Sequence, residues 1–231
     1  MLDPAGRVVM VSGASRGIGR AVMERLLASG YAVSAGVREA RGIQPGPAVM
    51  TSRYAAEDVA SAKAWVAATI ARFGRIDGVV CAAGINPMAR LVDEDETAFD
   101  AQWLVNVKGP MRLVRLAWPH LAAGGEGRVV TIASLSGRRV ANDNLGYAMS
   151  KFCVVALTQA IRREGWEAGI RATAICPGFV ATDMTRHVTS FRRERMSRPE
   201  DIAALVETAM RLPNTATVGE IGVNCRFEAL A

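Results

Sequence analysis

A chain of 231 residues, half of them apolar, is long enough to bury one core and short for two, which predicts one domain over residues 1–231. No run approaches the ~18 consecutive apolar residues of a membrane helix, and Asp3 and Pro4 stand where a secretory signal needs basic residues, so a cytoplasmic protein with no membrane partner is expected. The net charge of +6 is mostly arginine dispersed along the chain without interleaved aromatics, which argues against a nucleic-acid partner.

Residues 7–11, Arg-Val-Val-Met-Val, read as a strand feeding Ser12-Gly13-Ala14-Ser15-Arg16-Gly17-Ile18-Gly19, after which residues 21–27 read as a helix ending at Gly30. Gly13, Gly17 and Gly19 let the backbone turn sharply and approach a pyrophosphate, while the helix N-terminus supplies N–H donors. Ser15, Arg16 and Ile18 share that loop and are assigned to the cofactor with the glycines. The spacing is G-x-x-x-G-x-G, not the more general G-x-G-x-x-G. A second strand over residues 32–37 ends at Arg38, where an acid would grip the ribose hydroxyls of NAD(H). Arg38 and Arg16 flanking one ribose favour NADP(H) over NAD(H).

A loop over 39–47 leads to a short strand at 49–52 and a helix over 58–73 that Gly74 closes. Residues 77–84 form the next buried strand, running into a turn where Ala83 and Gly84 let a cofactor lie close. Strands alternating with helices predict a parallel, doubly wound α/β sheet. The stretch 98–121 reads as one long helix with Asn106 and Pro110 in its middle. Proline lacks an N–H, so the Asn106 carbonyl loses its helical partner and a kink is expected.

Residues 127–134 read as a strand that delivers Ser134 at the sheet edge where ligands of such folds gather. Tyr147 and Lys151, four apart on the next helix, share a face, so the ammonium is expected to lower the phenol pKa toward neutrality. Such a phenol exchanges a proton with a carbonyl or alcohol oxygen that Ser134 holds. Ser136, Asn144 and Met184 are assigned to the substrate side with Ser134 and Tyr147. A strand over 169–176 stops at Pro177-Gly178, and Val180, Thr182 and Met184 follow on an expected lid. Arg186, His187, Arg192, Arg193, Arg195 and Arg198 form a basic cluster opposed only by Glu194, suited to an anionic substrate or to water. A helix over 202–210 and a strand over 221–227 complete the pattern. Cys81, Cys153, Cys176 and Cys225 lack metal-ligand spacing and read as reduced core thiols, with no metal expected.

In this order the pieces resemble the short-chain dehydrogenase/reductase family over nearly the whole length. Gly13, Gly17 and Gly19 match its glycine loop, Ser134 and Tyr147 have its serine-to-tyrosine separation, and Asn106 and Lys151 complete its tetrad. Pro177-Gly178 match its turn after the sixth strand, with Thr182 where a threonine meets the nicotinamide carboxamide or a diphosphate oxygen. The resemblance implies a Rossmann-type sheet of about seven strands and hydride transfer between NADP(H) and a small carbonyl or secondary alcohol. It implies that Tyr147 carries the proton, that Lys151 holds the nicotinamide ribose, and that the Asn106 carbonyl binds a water leading to Lys151. It also implies a homodimer or homotetramer paired through helices 101–121 and 147–163. Three departures stand out. Cys81-Ala82-Ala83-Gly84 replaces Asn-Asn-Ala-Gly, losing an amide that would brace the sheet. Tyr54-Ala55 stands where an aspartate would take the adenine amino group, and the substrate loop around 182–198 is short. Two other readings remain open: a 3-oxoacyl thioester reductase, and a catalytically silent NADP(H)-binding regulatory or scaffold protein.

Overall fold

The computed structural model describes residues 1–40 and 42–227. Seven strands form one parallel sheet in the order β3-β2-β1-β4-β5-β6-β7. They are β1 Val8–Ser12, β2 Ala32–Val37, β3 Val49–Arg53, β4 Gly78–Cys81, β5 Arg128–Ile132, β6 Arg171–Pro177 and β7 Glu220–Val223. The order reverses between β1 and β4, which opens a crevice at the strands' carboxyl ends. This is the doubly wound, Rossmann-like sheet that the alternation of elements predicts.

Helices cover both faces, so the strands are apolar on both sides. On one side α1 (Gly17–Ala28) and α6 (Pro199–Arg211) bury Val22, Leu26, Ile202, Val206 and Met210 against Val9, Val11, Val80 and Ile175. On the other, α2 (Val59–Phe73), α4 (Gly109–Ala123) and α5 (Leu145–Glu164) bury Trp65, Leu113, Leu121 and Ile161 against Met10, Val79 and Val129. Val9 and Val11 go one way and Met10 the other, as the two-residue period of a strand requires. Helix α2 starts where Asp58 accepts the Ala60 N–H at 2.8 Å and stops at Gly74, whose φ of 75° is the left-handed cap expected of glycine. Among the described residues no helix is long and apolar enough to cross a membrane.

Two expectations change. The stretch 98–121 is not one kinked α-helix: α3 (Thr97–Gln102) and α4 are joined by a π-helical segment, Trp103–Lys108, in which the Gly109 N–H reaches the Leu104 carbonyl. The widened turn ends just before Pro110, whose missing N–H leaves one carbonyl of that turn without a helical donor. The last strand ends at Val223 instead of Phe227. The Asn224 side chain accepts the Arg226 N–H at 3.3 Å, a local turn that competes with the ladder.

At the amino end of β5, away from the crevice, Arg128 is 2% exposed. Its guanidinium donates to the carbonyls of Leu212 at 3.0 and 2.7 Å and of Gly127 at 2.9 Å, and to Asn214 Oδ1 at 2.9 Å. Burial pushes its pKa down to about 10, so it stays charged at neutral pH. It ties the start of β5 to the chain leaving α6. Arg128→Met removes every one of those donors and is expected to lower the unfolding free energy by about 2–4 kcal/mol in urea titrations. A loss under about 0.5 kcal/mol would show that the clamp carries little.

Candidate active site

The carboxyl ends of β1, β4, β5 and β6 open onto a cleft of about 1200 Å³. One end is the loop after β1. Gly13 has φ +71° and lies so close to the next turn that a Cβ there would meet the backbone of Ala83 at 2.9 Å. Gly17 has φ +56° and opens α1, with Thr182 Cγ2 at 3.3 Å from where a Cβ would stand. Both positions require glycine. Helix α1 has no side-chain cap and no acid in its first turn, so its leading N–H groups face the cleft without a protein carboxylate.

The bracing amide missing from Cys81-Ala82-Ala83-Gly84 is replaced. Ser12 Oγ accepts the N–H groups of Ala82 at 3.0 Å and Ala83 at 3.1 Å and donates to the Val80 carbonyl at 3.4 Å. Ser12 was not among the expected site residues; its place between a strand and the first glycine was the available signal. Arg16 and Arg38 both line this end of the cleft, and Arg16 reaches Asp183 at 3.4 Å in an exposed pair worth little. Tyr54 is buried against Trp65, with ring centroids 4.8 Å apart, and lines the same end with Ala56 and Glu57. The Ala55 N–H is taken by Ser61 Oγ at 3.1 Å and its carbonyl accepts the Asp58 N–H at 3.0 Å, so the Ala55 N–H is not offered to an adenine.

Asn106, Ser134, Tyr147 and Lys151 meet at the other end. The π-helical turn carries Asn106, which is 1% exposed. Its Oδ1 accepts the Ile85 N–H at 2.9 Å, and its Nδ2 donates to the Ile85 carbonyl and to Ser150 Oγ, both at 3.0 Å. The side chain thus fastens the turn after β4 to α5. Ser134 caps the short turn Leu135–Gly137, accepting the Ser136 N–H at 3.1 Å and donating to the Pro177 carbonyl at 3.4 Å.

The phenol does not behave as expected. Burial pushes Tyr147 up to about 12, with the hydrogen bond from Ser134 only partly offsetting it. The Lys151 ammonium makes no direct bond to the phenol: it lies 5.5 Å from the ring centroid and donates to the Ile132 carbonyl at 2.8 Å. Desolvation therefore outweighs ion stabilisation here. The same burial lowers Lys151 to about 8. Of its three N–H donors one is spent on Ile132, and no protein acceptor takes the other two among the described residues.

The remaining expected residues divide. Pro177, Gly178, Val180, Thr182 and Met184 all line the cleft, as do Ser15, Ile18, Gly19, Ala83, Gly84 and Ser136. Asn144 lines it too, but its carboxamide is fully committed. Oδ1 accepts from Tyr147 N and Ala89 N, and Nδ2 donates to Asn86 Oδ1 and the Pro87 carbonyl. It caps α5 and holds the 86–89 turn, leaving nothing to offer a substrate. The basic segment is also corrected. Arg186 pairs with Asp183 at 2.5 Å and Arg198 with Asp201 at 2.8 Å, besides Arg192 with Glu194 at 3.7 Å. Glu194 is not the sole opposing acid, and only His187 of that cluster lines the cleft.

With this geometry in place, residues 7–193 match the family model described as short chain dehydrogenase. The chain belongs to the short-chain dehydrogenase/reductase family. Agropine synthesis reductase of Rhizobium rhizogenes is 41% identical over 229 residues, 96% of this chain and 53% of that protein, so the chain spans about half the length of this relative. Short-chain reductase protein NovJ of Streptomyces niveus is 32% identical over 237 residues, covering 92% of this chain and 90% of the relative. A short chain dehydrogenase of Burkholderia cenocepacia, solved in complex with NADP, shares the fold with a TM-score of 0.85 at 26% identity, over 96% of this chain and 98% of the other. Members of this family bind a nicotinamide cofactor.

Burial of Lys151 has a consequence for stability in this family member. Its folded pKa, about 8, lies below the ~10.4 of an unfolded lysine, so between these values the unfolded state binds more protons and stability rises with pH. Lys151→Met removes that term. Its stability advantage over the parent is expected to be largest at pH 7 and to shrink by on the order of 1–3 kcal/mol by pH 10, read from urea melts of the cofactor-free proteins. Parallel pH profiles would mean that Lys151 titrates like an exposed lysine.

Proposed function

We propose that the protein is an NADP(H)-dependent reductase of a small carbonyl compound, with Tyr147 as the proton donor. One observation carries the reading: Ser134, Tyr147 and Lys151 converge at one end of a cleft whose other end is the glycine loop and the α1 N-terminus. The residues present fit a dinucleotide. The uncapped N-terminus suits a pyrophosphate, Arg38 and Arg16 suit a 2′-phosphate, and the unspent donors of Lys151 suit ribose hydroxyls. When bound, the nicotinamide supplies the hydride that reaches the carbonyl carbon.

The chain supplies the rest. A phenol with a pKa pushed up to about 12 is protonated at neutral pH, the form needed to donate to a carbonyl oxygen. Ser134 holds that oxygen within reach of the phenol. Below about pH 8 Lys151 is charged, and its field favours the phenolate left behind. Reduction should therefore weaken as pH rises through that value. Asn106 acts by positioning, since its bonds to Ile85 and Ser150 fix the wall on which Lys151 stands. Pro177, Gly178, Val180 and Thr182 flank the nicotinamide end, and Ser136 and Met184 the substrate. Trp103, Met149 and Phe152 stay large and exposed on the π-helical segment and α5, which supports pairing of two copies through these helices. A thioester reductase has less support, because the basic segment that suggested it is largely tied to acids of its own chain. A silent scaffold would have no use for Ser134, Tyr147 and Lys151 converging at the cleft.

Tyr147→Phe is expected to lower turnover on a panel of small ketones and aldehydes by about 10²–10⁴-fold with NADPH affinity kept within a few-fold. Full turnover would remove Tyr147 from the chemistry. Arg38→Ala is expected to weaken NADPH by about tenfold and NADH much less, one charge-assisted contact to the phosphate being lost. An unchanged ratio of the two cofactors would place the preference elsewhere.

A further inference from the structure

We infer that the substrate carries a carboxylate and that Arg226 receives it. The inference rests on the reductase reading and extends it to the substrate's far end.

The path from the reacting centre to Arg226 is short in contacts. Ser134 Oγ donates to the Pro177 carbonyl at 3.4 Å, and Phe179 follows two residues later in the same turn. The Gly178 N–H donates to the Val223 carbonyl at 2.8 Å, which holds the end of β7 beside that turn. Asn224 then takes the Arg226 N–H, and the Arg226 guanidinium comes to rest over the Phe179 ring at 5.7 Å. Phe179 is backed by Phe191 at 5.8 Å, nearly parallel to it. Phe179 and Arg226 line the same cleft as Ser134 and Tyr147.

A guanidinium resting on an aromatic face keeps its N–H edge available, and that edge matches the two oxygens of a carboxylate. No carboxylate of the protein satisfies Arg226 among the described residues. Of the acids that line the cleft, Asp183 is taken by Arg16 and Arg186, Glu57 lies beside Tyr54 at the cofactor end, and Asp143 stands exposed before α5. None of the arginines of 186–198 lines the cleft; Arg186, Arg192 and Arg198 pair with Asp183, Glu194 and Asp201, and Arg193 donates to the Thr182 carbonyl. Of the other cleft arginines, Arg16 and Arg38 stand at the cofactor end and Arg139 has a partner of its own, which leaves Arg226 beside the turn after β6.

The test uses the full chain with NADPH and matched pairs of keto acids and their methyl esters of graded length, such as pyruvate and levulinate. The acid of the best-fitting length is expected to exceed its ester about tenfold or more in kcat/KM. Arg226→Ala should carry that ratio toward one mainly through KM, Arg226→Lys should restore part of it, and added salt should erode it, since the group is solvent-exposed. The same pairs titrated calorimetrically into NADPH-loaded protein report binding without turnover. Ratios near one in the parent protein, or equal ratios in Arg226→Ala, overturn the inference even if neutral carbonyls are reduced. Binding of acids that depends on Arg226 with no reduction of any carbonyl overturns the reductase reading and leaves the inference standing.

Discussion

The carboxamide of Asn106 is the joint on which the reacting end of the cleft depends. Its three hydrogen bonds satisfy both backbone groups of Ile85 and the hydroxyl of Ser150, so one side chain holds the turn after β4 to the helix bearing Tyr147 and Lys151. Without it two backbone groups in a partly buried turn lose their partners, at about 1–3 kcal/mol each. The π-helical segment carries Asn106, and Pro110 stands where that wider turn gives way to α4. Ser12 does the matching work at the other end, drawing the Ala82-Ala83 turn onto β1. Cleft walls contributed by β1, β4, β5 and α5 are therefore fixed by polar bonds laid over the apolar sheet core.

Inside those walls burial acts on two charges in opposite senses. It raises the Tyr147 phenol and lowers the Lys151 ammonium, so each is pushed toward its neutral form. The phenol is left well above neutrality and protonated, whereas the lysine is left near the point where its charge can be gained or lost. On the proposed reading such a site would store its proton on the tyrosine and use the lysine as an adjustable field. A ligand that pairs with the unspent lysine donors would favour the charged form and reinforce that field.

Much of this was legible in the sequence, and the limits have a physical pattern. Apolar runs located all seven strands, although the last was read four residues too long, and the spacing of Gly13, Gly17 and Gly19 located the loop, because strand burial and left-handed turns are local demands. What could not be read was set by partners distant in sequence. Whether Lys151 touches the phenol or the Ile132 carbonyl, and whether Asn144 faces a substrate or saturates itself on Asn86, Pro87, Ala89 and Tyr147, depends on chain brought in from elsewhere. The four-residue spacing of Tyr147 and Lys151 leaves the first question open. The π-helical turn is intermediate: Pro110 announced that something must give at Asn106, but whether the helix bends or widens is decided by packing.

The basic segment at 186–198 shows the same limit in electrostatic form. Net charge along a stretch measures what could be offered to a ligand only when the neighbouring acids are far away, and here Asp183 and Asp201 flank the run and fold back onto it. Those exposed pairs contribute little stability, yet they occupy the donors an anion would need. Arg226 sits alone in sequence, in a segment first read as strand, and gains its place because β7 stops at Val223 and releases the chain over Phe179. No acid among the described residues pairs with it, so on the proposed reading a single cation beside an aromatic ring would outweigh a run of six basic residues, and the early end of the last strand would be what places it.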